Sequence, residues 1–312
     1  MSNAEQHWAG HQERGSFWLM KLTALGIKLL GRRVLSPVLH GIVLYFFLFG
    51  GRARRSIWQY QQHLADWSGQ ASLAPSYRRV FGQFMAFADA LLDKLDVWNG
   101  KLDLEQVEMI DPALLRPQLH GGRGQMLVGA HLGNLEVCRA LAELGERVTM
   151  NVLVHTRHAE HFNRLLGESG ASNLRLIQVS ELDPATMLQL SQRLDRGEWL
   201  AIAGDRVPLQ GTRTVEVDFL GHRAALPQGP WLLAGLLKCP LNLFFCLKQH
   251  GRYQVILEPF APAIEWRRGQ RDQVIADWAG RYAERLGHYC LQAPQQWFNF
   301  YPFWKSDDDA SP

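Results

Sequence analysis

The sequence predicts an α/β protein with a mostly parallel central sheet covered by helices on both faces, preceded by an N-terminal membrane-associated helical segment. Three observations carry this expectation. From about Gln125 onward, short apolar runs alternate with helix-length amphipathic ones, and strands separated by single helices build a parallel sheet buried on both sides. Residues 34–51, "VLSPVLHGIVLYFFLFGG", carry no formal charge and are bracketed by arginines. An apolar content of 47% in 312 residues is ample for one sizeable core.

The leader comes first. Residues 1–55 hold eight Lys or Arg against two acids, which leaves 25 basic and 28 acidic residues in the rest of the chain. A formal charge of +3 is too small to argue for a general nucleic-acid surface. A basic, apolar leader on a near-neutral body instead suits an anionic membrane face. In "FWLMKLTALGIKLLG", Lys21 and Lys28 are seven apart and share one face of an otherwise apolar helix, which can lie in the interface. The charge-free run has the minimum length of a spanning helix. Pro37, His40 and the Gly50–Gly51 pair shorten its helical part, so a full span, a re-entrant hairpin and a pair of ordinary core-covering helices all stay open. Basic residues inside the first apolar stretch and the lack of a small-residue cleavage site argue against a cleaved secretory signal.

Residues 56–98 read as helical throughout, with Val80, Phe81, Phe84, Phe87, Leu91 and Leu95 at three- and four-residue steps. Then follow "QMLVGA" as strand, "NLEVCRALAELG" as helix, "RVTMNVLVH" as strand and "AEHFNRLLGESG" as helix. "LRLIQVS" is the next strand, "PATMLQLSQRLDRG" a helix and "WLAIAGD" a strand. The Gly and Pro spacing of "RVPLQGTRTVEVDFLGHRAALPQGP" suggests a hairpin and loop over the sheet. "WLLAGLLKC" resumes as helix, "PLNLFFCLKQHGRYQVILEPF" reads as an antiparallel hairpin turning at Gly251, and "DQVIADWAGRYAERLGHYCLQAP" closes as a long helix. The organisation expected is a leader over 1–55, an α/β domain over 56–305 including the helical 56–98, and a disordered acidic tail over 306–312.

Chemistry concentrates in "GAHLGNLE", residues 129–136, where an apolar strand stops and a helix begins. Ligands meet open parallel sheets at the carboxyl ends of their strands, and His131 falls there. Gly133 permits a tight turn and Asn134 can cap the helix. Glu136 would reach His131 only across a strand-to-helix junction, because positions five apart on one helix diverge by roughly 140°. A carboxylate on one imidazole nitrogen leaves the other aimed outward as a general base for a hydroxyl proton. No G-x-S-x-G elbow and no P-loop occurs, so the hydroxyl would belong to the substrate. From these eight residues alone, a capping histidine beside a surface glutamate is an equal alternative.

The chain resembles the lipid A late acyltransferases, the lauroyl and myristoyl transferases of the wider lysophospholipid acyltransferase superfamily. "HLGNLE" matches their H-x-G-N-x-(D/E) signature. "FNRLL" with Arg164 is similar to their second block, and "AIAGDRVPLQGTRTVEVDFLG" with Asp205 and Arg206 to their third. "QQWFNFYPFW" is similar to their W-x-x-x-Y-x-F-W close. Arg206 stands where many members carry Gln, and "VHTRHAEHFN" lacks the usual Arg-Pro-like start of the second block. The likeness therefore leans toward the branch associated with aryl polyene and related lipids.

The resemblance implies an enzyme at the bacterial inner membrane, its catalytic domain on the cytoplasmic face, moving an acyl group from an acyl carrier protein or coenzyme A thioester to a hydroxyl of a lipid or glycolipid. In that reading His131 is the base and Glu136 orients it. Arg164 is the first choice to meet the developing oxyanion and Arg206 the second; Asp205 fixes one of them or the acceptor, and Asn134 shapes the turn. No cofactor beyond the thioester co-substrate, no metal and no nucleic acid is expected. His155, His158 and His161 recur every third residue but lack a fixed carboxylate partner. The four cysteines, at 138, 239, 246 and 290, make no CxxC pair and read as reduced cytosolic thiols. Phe298, Phe300, Tyr301, Phe303 and Trp304 would line an acyl tunnel or pack the core. A hydrolase that releases the acyl group to water, or a non-catalytic lipid-binding protein, are the readings from other classes.

Overall fold

A computed structural model describes residues 36–98, 107–118, 121–134, 149–154, 174–178, 183–207 and 213–304. Its seven-stranded sheet comprises β1 (Val107–Ile110), β2 (Met126–Gly129), β3 (Met150–Val154), β4 (Leu174–Gln178), β5 (Trp199–Ala203), β8 (Leu241–Gln249) and β9 (Arg252–Ala261), in the order β1-β9-β8-β2-β5-β3-β4. Strands β8, β2, β5, β3 and β4 run the same way. β9 turns back against β8 and β1 follows β9, so the two edge strands on that side are reversed. The sheet is thus mostly parallel, as expected. Two residues, His250 at φ 50° and Gly251 at φ 80°, make the β8–β9 turn, the double positive-φ geometry that matches the twist of a tight hairpin.

β2 is the middle strand and fully buried. Successive side chains alternate between faces: Met126 and Val128 enter the main core, while Leu127 meets Trp199, Leu257 and Leu115 on the other side. The main core is closed by α2 (Gly51–Ser68), α5 (Pro184–Asp195), α6 (Gly229–Leu237) and α7 (Arg271–Gln292), with the hairpin of β6 (Thr214–Phe219) and β7 (His222–Pro227). Leu115, from the short α4 (Leu115–Gln118), covers part of the opposite face. "DPATM" starts α5 as its composition dictates: Asp183 caps the Thr186 amide and Pro184 occupies the first turn.

Two expectations are corrected. Residues 56–98 are not one helical stretch. Gly69, at φ 68°, ends α2 in a left-handed cap, a 3₁₀ turn spans Ala71–Leu73, and α3 begins at Tyr77 and runs to Trp98. Leu91, read as packing, is exposed, whereas Val80 and Phe84 are buried. Strand β1 was not foreseen. The helices read from "NLEVCRALAELG" and "AEHFNRLLGESG" lie outside the described residues.

Of the leader, α1 (Ser36–Phe49) is described. Val43 packs against Ile57, Val80 and Phe84, with Leu39 and Phe47 beside it. The helix stops at Gly50, where a Cβ would lie 2.4 Å from the Phe46 carbonyl oxygen, and Arg54 donates to the carbonyls of Phe47 and Leu48 at its end. Among the described residues no single helix is long and apolar enough to cross a membrane. α1 and α2 meet that standard only together, and they bend by 89° at their junction.

Candidate active site

The register of two parallel neighbours builds the site. Gly129 at the end of β2 pairs with Ala203 at the end of β5, so His131 and Asp205, each two residues further on, emerge side by side. Their side chains meet with His131 Nδ1 2.9 Å from Asp205 Oδ1, and the His131 backbone N–H donates to Oδ2 at 2.9 Å. Trp297 Nε1 and Asn299 Nδ2 also donate to Oδ2, at 3.1 and 3.0 Å. Asp205 is wholly buried while the His131 side chain is 35% exposed. The ring therefore spans from a dry carboxylate to the surface.

Burial alone would raise the Asp205 pKa. The His131 ring, its hydrogen bonds and the Arg206 charge outweigh burial and hold it at about 2. An ionised carboxylate only accepts hydrogen bonds, so the proton of a neutral His131 ring sits on Nδ1 and Nε2 is its basic nitrogen. Tyr282, a buried phenol pushed well upward by burial and by Asp205, stays protonated and donates to the Gly129 carbonyl at 2.7 Å. That bond fixes the end of β2 from behind.

Chain geometry pushes His131 outward. From Val128, paired with Leu243, to Gly133, bridged to Cys246, β2 and its extension take five steps while β8 takes three. The two extra residues bulge at His131. Gly133 rejoins β8 at φ 74°, and a Cβ there would lie 1.8 Å from the Cys246 carbonyl oxygen, so only glycine fits. On the other side the closing segment pairs with the same stretch: Gly133 N–H donates to the Gln296 carbonyl, Phe298 N–H to the His131 carbonyl, and Leu132 bridges Trp297.

The residues singled out from the sequence divide as follows. His131, Asp205, Arg206 and Asn134 converge on this strand end. Asp205, expected to serve an arginine or the acceptor, is bonded to His131 itself. Asn134 is buried, and its Nδ2 donates to the Ala90 carbonyl of α3 at 3.1 Å; the helix it was expected to cap lies outside the described residues. Arg206 turns toward the closing segment, donating to Asn299 Oδ1 and the Phe298 carbonyl at 2.8 Å each. Glu136, Arg164, Cys138, His155, His158 and His161 lie outside the described residues. Among the described residues no group of three His, Cys, Asp or Glu is arranged to hold a metal ion.

Of the closing aromatics, Trp304 packs on Phe219, and Phe298 and Phe300 pack on Phe87 and Phe84 of α3. Sequence reasoning missed Trp297 and Asn299 as partners of Asp205. Their signal was an amide and an indole N–H at alternate positions of an otherwise apolar run, "WFNF".

A mostly parallel sheet that presents a half-exposed imidazole, backed by a buried carboxylate at its carboxyl end, has the equipment for acid–base chemistry and suits an acyltransferase. Comparison with known families agrees: the model for bacterial lipid A biosynthesis acyltransferases matches residues 5–306, and the chain belongs to that family. No curated protein matches it.

Proposed function

We propose that this acyltransferase works at the cytoplasmic face of a bacterial inner membrane, taking an acyl group from a thioester of acyl carrier protein or coenzyme A to a hydroxyl of a lipid or glycolipid. The family carries acyl transfer to lipid. The observation that supports the finer reading is the His131 Nδ1 to Asp205 Oδ1 contact at the sheet's carboxyl end. His131 Nε2 takes the proton of the acceptor hydroxyl as its oxygen attacks the thioester carbonyl. The tetrahedral intermediate then expels the thiolate, which leaves with that proton, and an ester remains. Asp205 steers the ring through Nδ1, and the charge of Glu136 stabilises the imidazolium that forms. Arg164 meets the developing oxyanion, since Arg206 is committed to the closing segment.

Membrane association is supported by α1. Val38, Leu44, Tyr45, Leu48 and Phe49 are exposed apolar residues beside the exposed arginines 52 and 55, a combination that suits an anionic lipid surface. The bend at Gly50 favours lying in the interface over spanning.

The test is mass spectrometry of lipid products after the full chain is given acyl carrier protein and coenzyme A thioesters separately, with membrane lipids as acceptors. One lipid should gain the mass of a single acyl chain. His131→Ala and Glu136→Ala should abolish that gain while leaving the fold intact. Release of free fatty acid with no acylated lipid would overturn transfer to a lipid.

A further inference from the structure

The Asp205 carboxylate divides its bonds unevenly. Oδ1 receives the His131 ring, while Oδ2 receives three donors, the His131 backbone, Trp297 and Asn299. Saturating one oxygen fixes the rotation of the carboxylate and leaves the other aimed at the ring. Asn299 does this with a side chain whose orientation is dictated on both sides. Arg206 Nε donates to its Oδ1 at 2.8 Å and its own Nδ2 donates to Asp205 at 3.0 Å. A guanidinium can only donate and an ionised carboxylate can only accept, so the amide fits one way round. Asn299 is itself buried, and the segment that carries it is anchored independently. Gln83 of α3 donates to the Trp297 carbonyl, and Trp304 Nε1 to the Phe219 carbonyl.

We propose that Asn299 is a positioning residue of the acyl transfer. It holds the Asp205 carboxylate pointed at His131 Nδ1, and it joins that carboxylate to Arg206. The closing segment thereby belongs to the catalytic apparatus. This inference rests on the reading of His131 as the base.

The experiment is steady-state kinetics of Asn299→Leu across pH, alone and combined with Asp205→Asn. Alone, kcat should fall roughly 10–100-fold, the size of loss seen when the partner that orients a metal-bound histidine is removed, with KM for the thioester unchanged. The acid limb of the pH–rate profile should move to lower pH, because a loosely held carboxylate stabilises the imidazolium less. On top of Asp205→Asn the substitution should cost nothing further, since its effect passes through that carboxylate. Wild-type kcat and acid limb in Asn299→Leu, or a full additional loss in the double variant, would overturn the proposal. If Asn299→Leu fails to fold, Asn299→Ser, which is small and keeps a donor at shorter reach, is expected to show a smaller loss and a smaller displacement of the acid limb in the same direction; unchanged kinetics would overturn it equally. His131→Ala separates the two readings. An inactive His131→Ala beside an unaltered Asn299→Leu sinks only the role of Asn299, whereas an active His131→Ala removes the base and this inference with it.

Discussion

His131 Nδ1 and Asp205 Oδ1 meet at 2.9 Å across 74 residues of chain because β2 and β5 are parallel neighbours whose last paired residues, Gly129 and Ala203, are each two short of them. Asp205→Asn keeps the shape and removes the charge. An amide can present its NH₂ to Nδ1 and so stabilise the tautomer with the proton on Nε2, which is useless as a base. The expected loss in kcat is about 10²–10⁴-fold, the range of general-base assistance, read by thioester turnover at neutral pH.

The same carboxylate makes stability pH-dependent. Its folded pKa, about 2, is below the ordinary value of 3.8, so its contribution is complete above about pH 4 and is lost as pH falls through about 2. That contribution is on the order of 2 kcal/mol by the conversion of pKa shift to free energy. Urea unfolding of the wild type and Asp205→Asn should therefore converge as pH is lowered from about 4 toward 2. A constant difference across that window would contradict the linkage.

Gly133→Ala tests the bulge. The new methyl would lie 1.8 Å from the Cys246 carbonyl, at a φ of 74°, so both backbone strain and a clash with main chain oppose it. The strain alone costs about 1–3 kcal/mol. Thermal melting should show a clear loss of stability, and turnover should fall because displacing Gly133 moves His131, two residues away.

The strands and helices were legible because their periods are strong: β2, β5, β8, β9, α6 and α7 fall where alternating apolar runs and glycines put them. β1 was not, because four residues with an exposed Glu108 make too short a pattern. The site was half legible. His131 and Asp205 both announce themselves as polar residues at strand ends. Which strands are neighbours is a property of sheet order, and no local pattern encodes that β5 inserts between β2 and β3. Asn299 was further out of reach, since its role depends on the closing segment folding back over residues 131–133.

His63 provides a second pH dependence with a different window. Its ring stacks on His222 with centroids 3.6 Å apart and abuts Trp304. Burial and the neighbouring His222 lower its pKa from 6.5 to about 4. The folded protein then binds fewer protons than the unfolded chain between those values, so stability should be full above about pH 6.5 and decline as pH falls toward about 4. His63→Phe retains a ring and removes the titration. Denaturation midpoints of that variant should be flatter than wild type across this interval, and a His63 NMR resonance titrating near 6.5 would contradict the argument.

The exposed face of α1 supplies the last prediction. Phe49 is 68% exposed, and Tyr45 stacks beside it in a tilted pair. In water this face stabilises nothing, so charging it should leave folding nearly untouched, within about 0.5 kcal/mol for a surface site. In a bilayer interface the same change buries a charge among acyl chains. Phe49→Glu should therefore keep its melting temperature yet lose cosedimentation with vesicles containing phosphatidylglycerol. Replacing arginines 52 and 55 by Gln should weaken the same binding by about 1 kcal/mol each, and less at high salt. Equal cosedimentation of wild type and Phe49→Glu would mean that α1 is not the surface that meets the membrane.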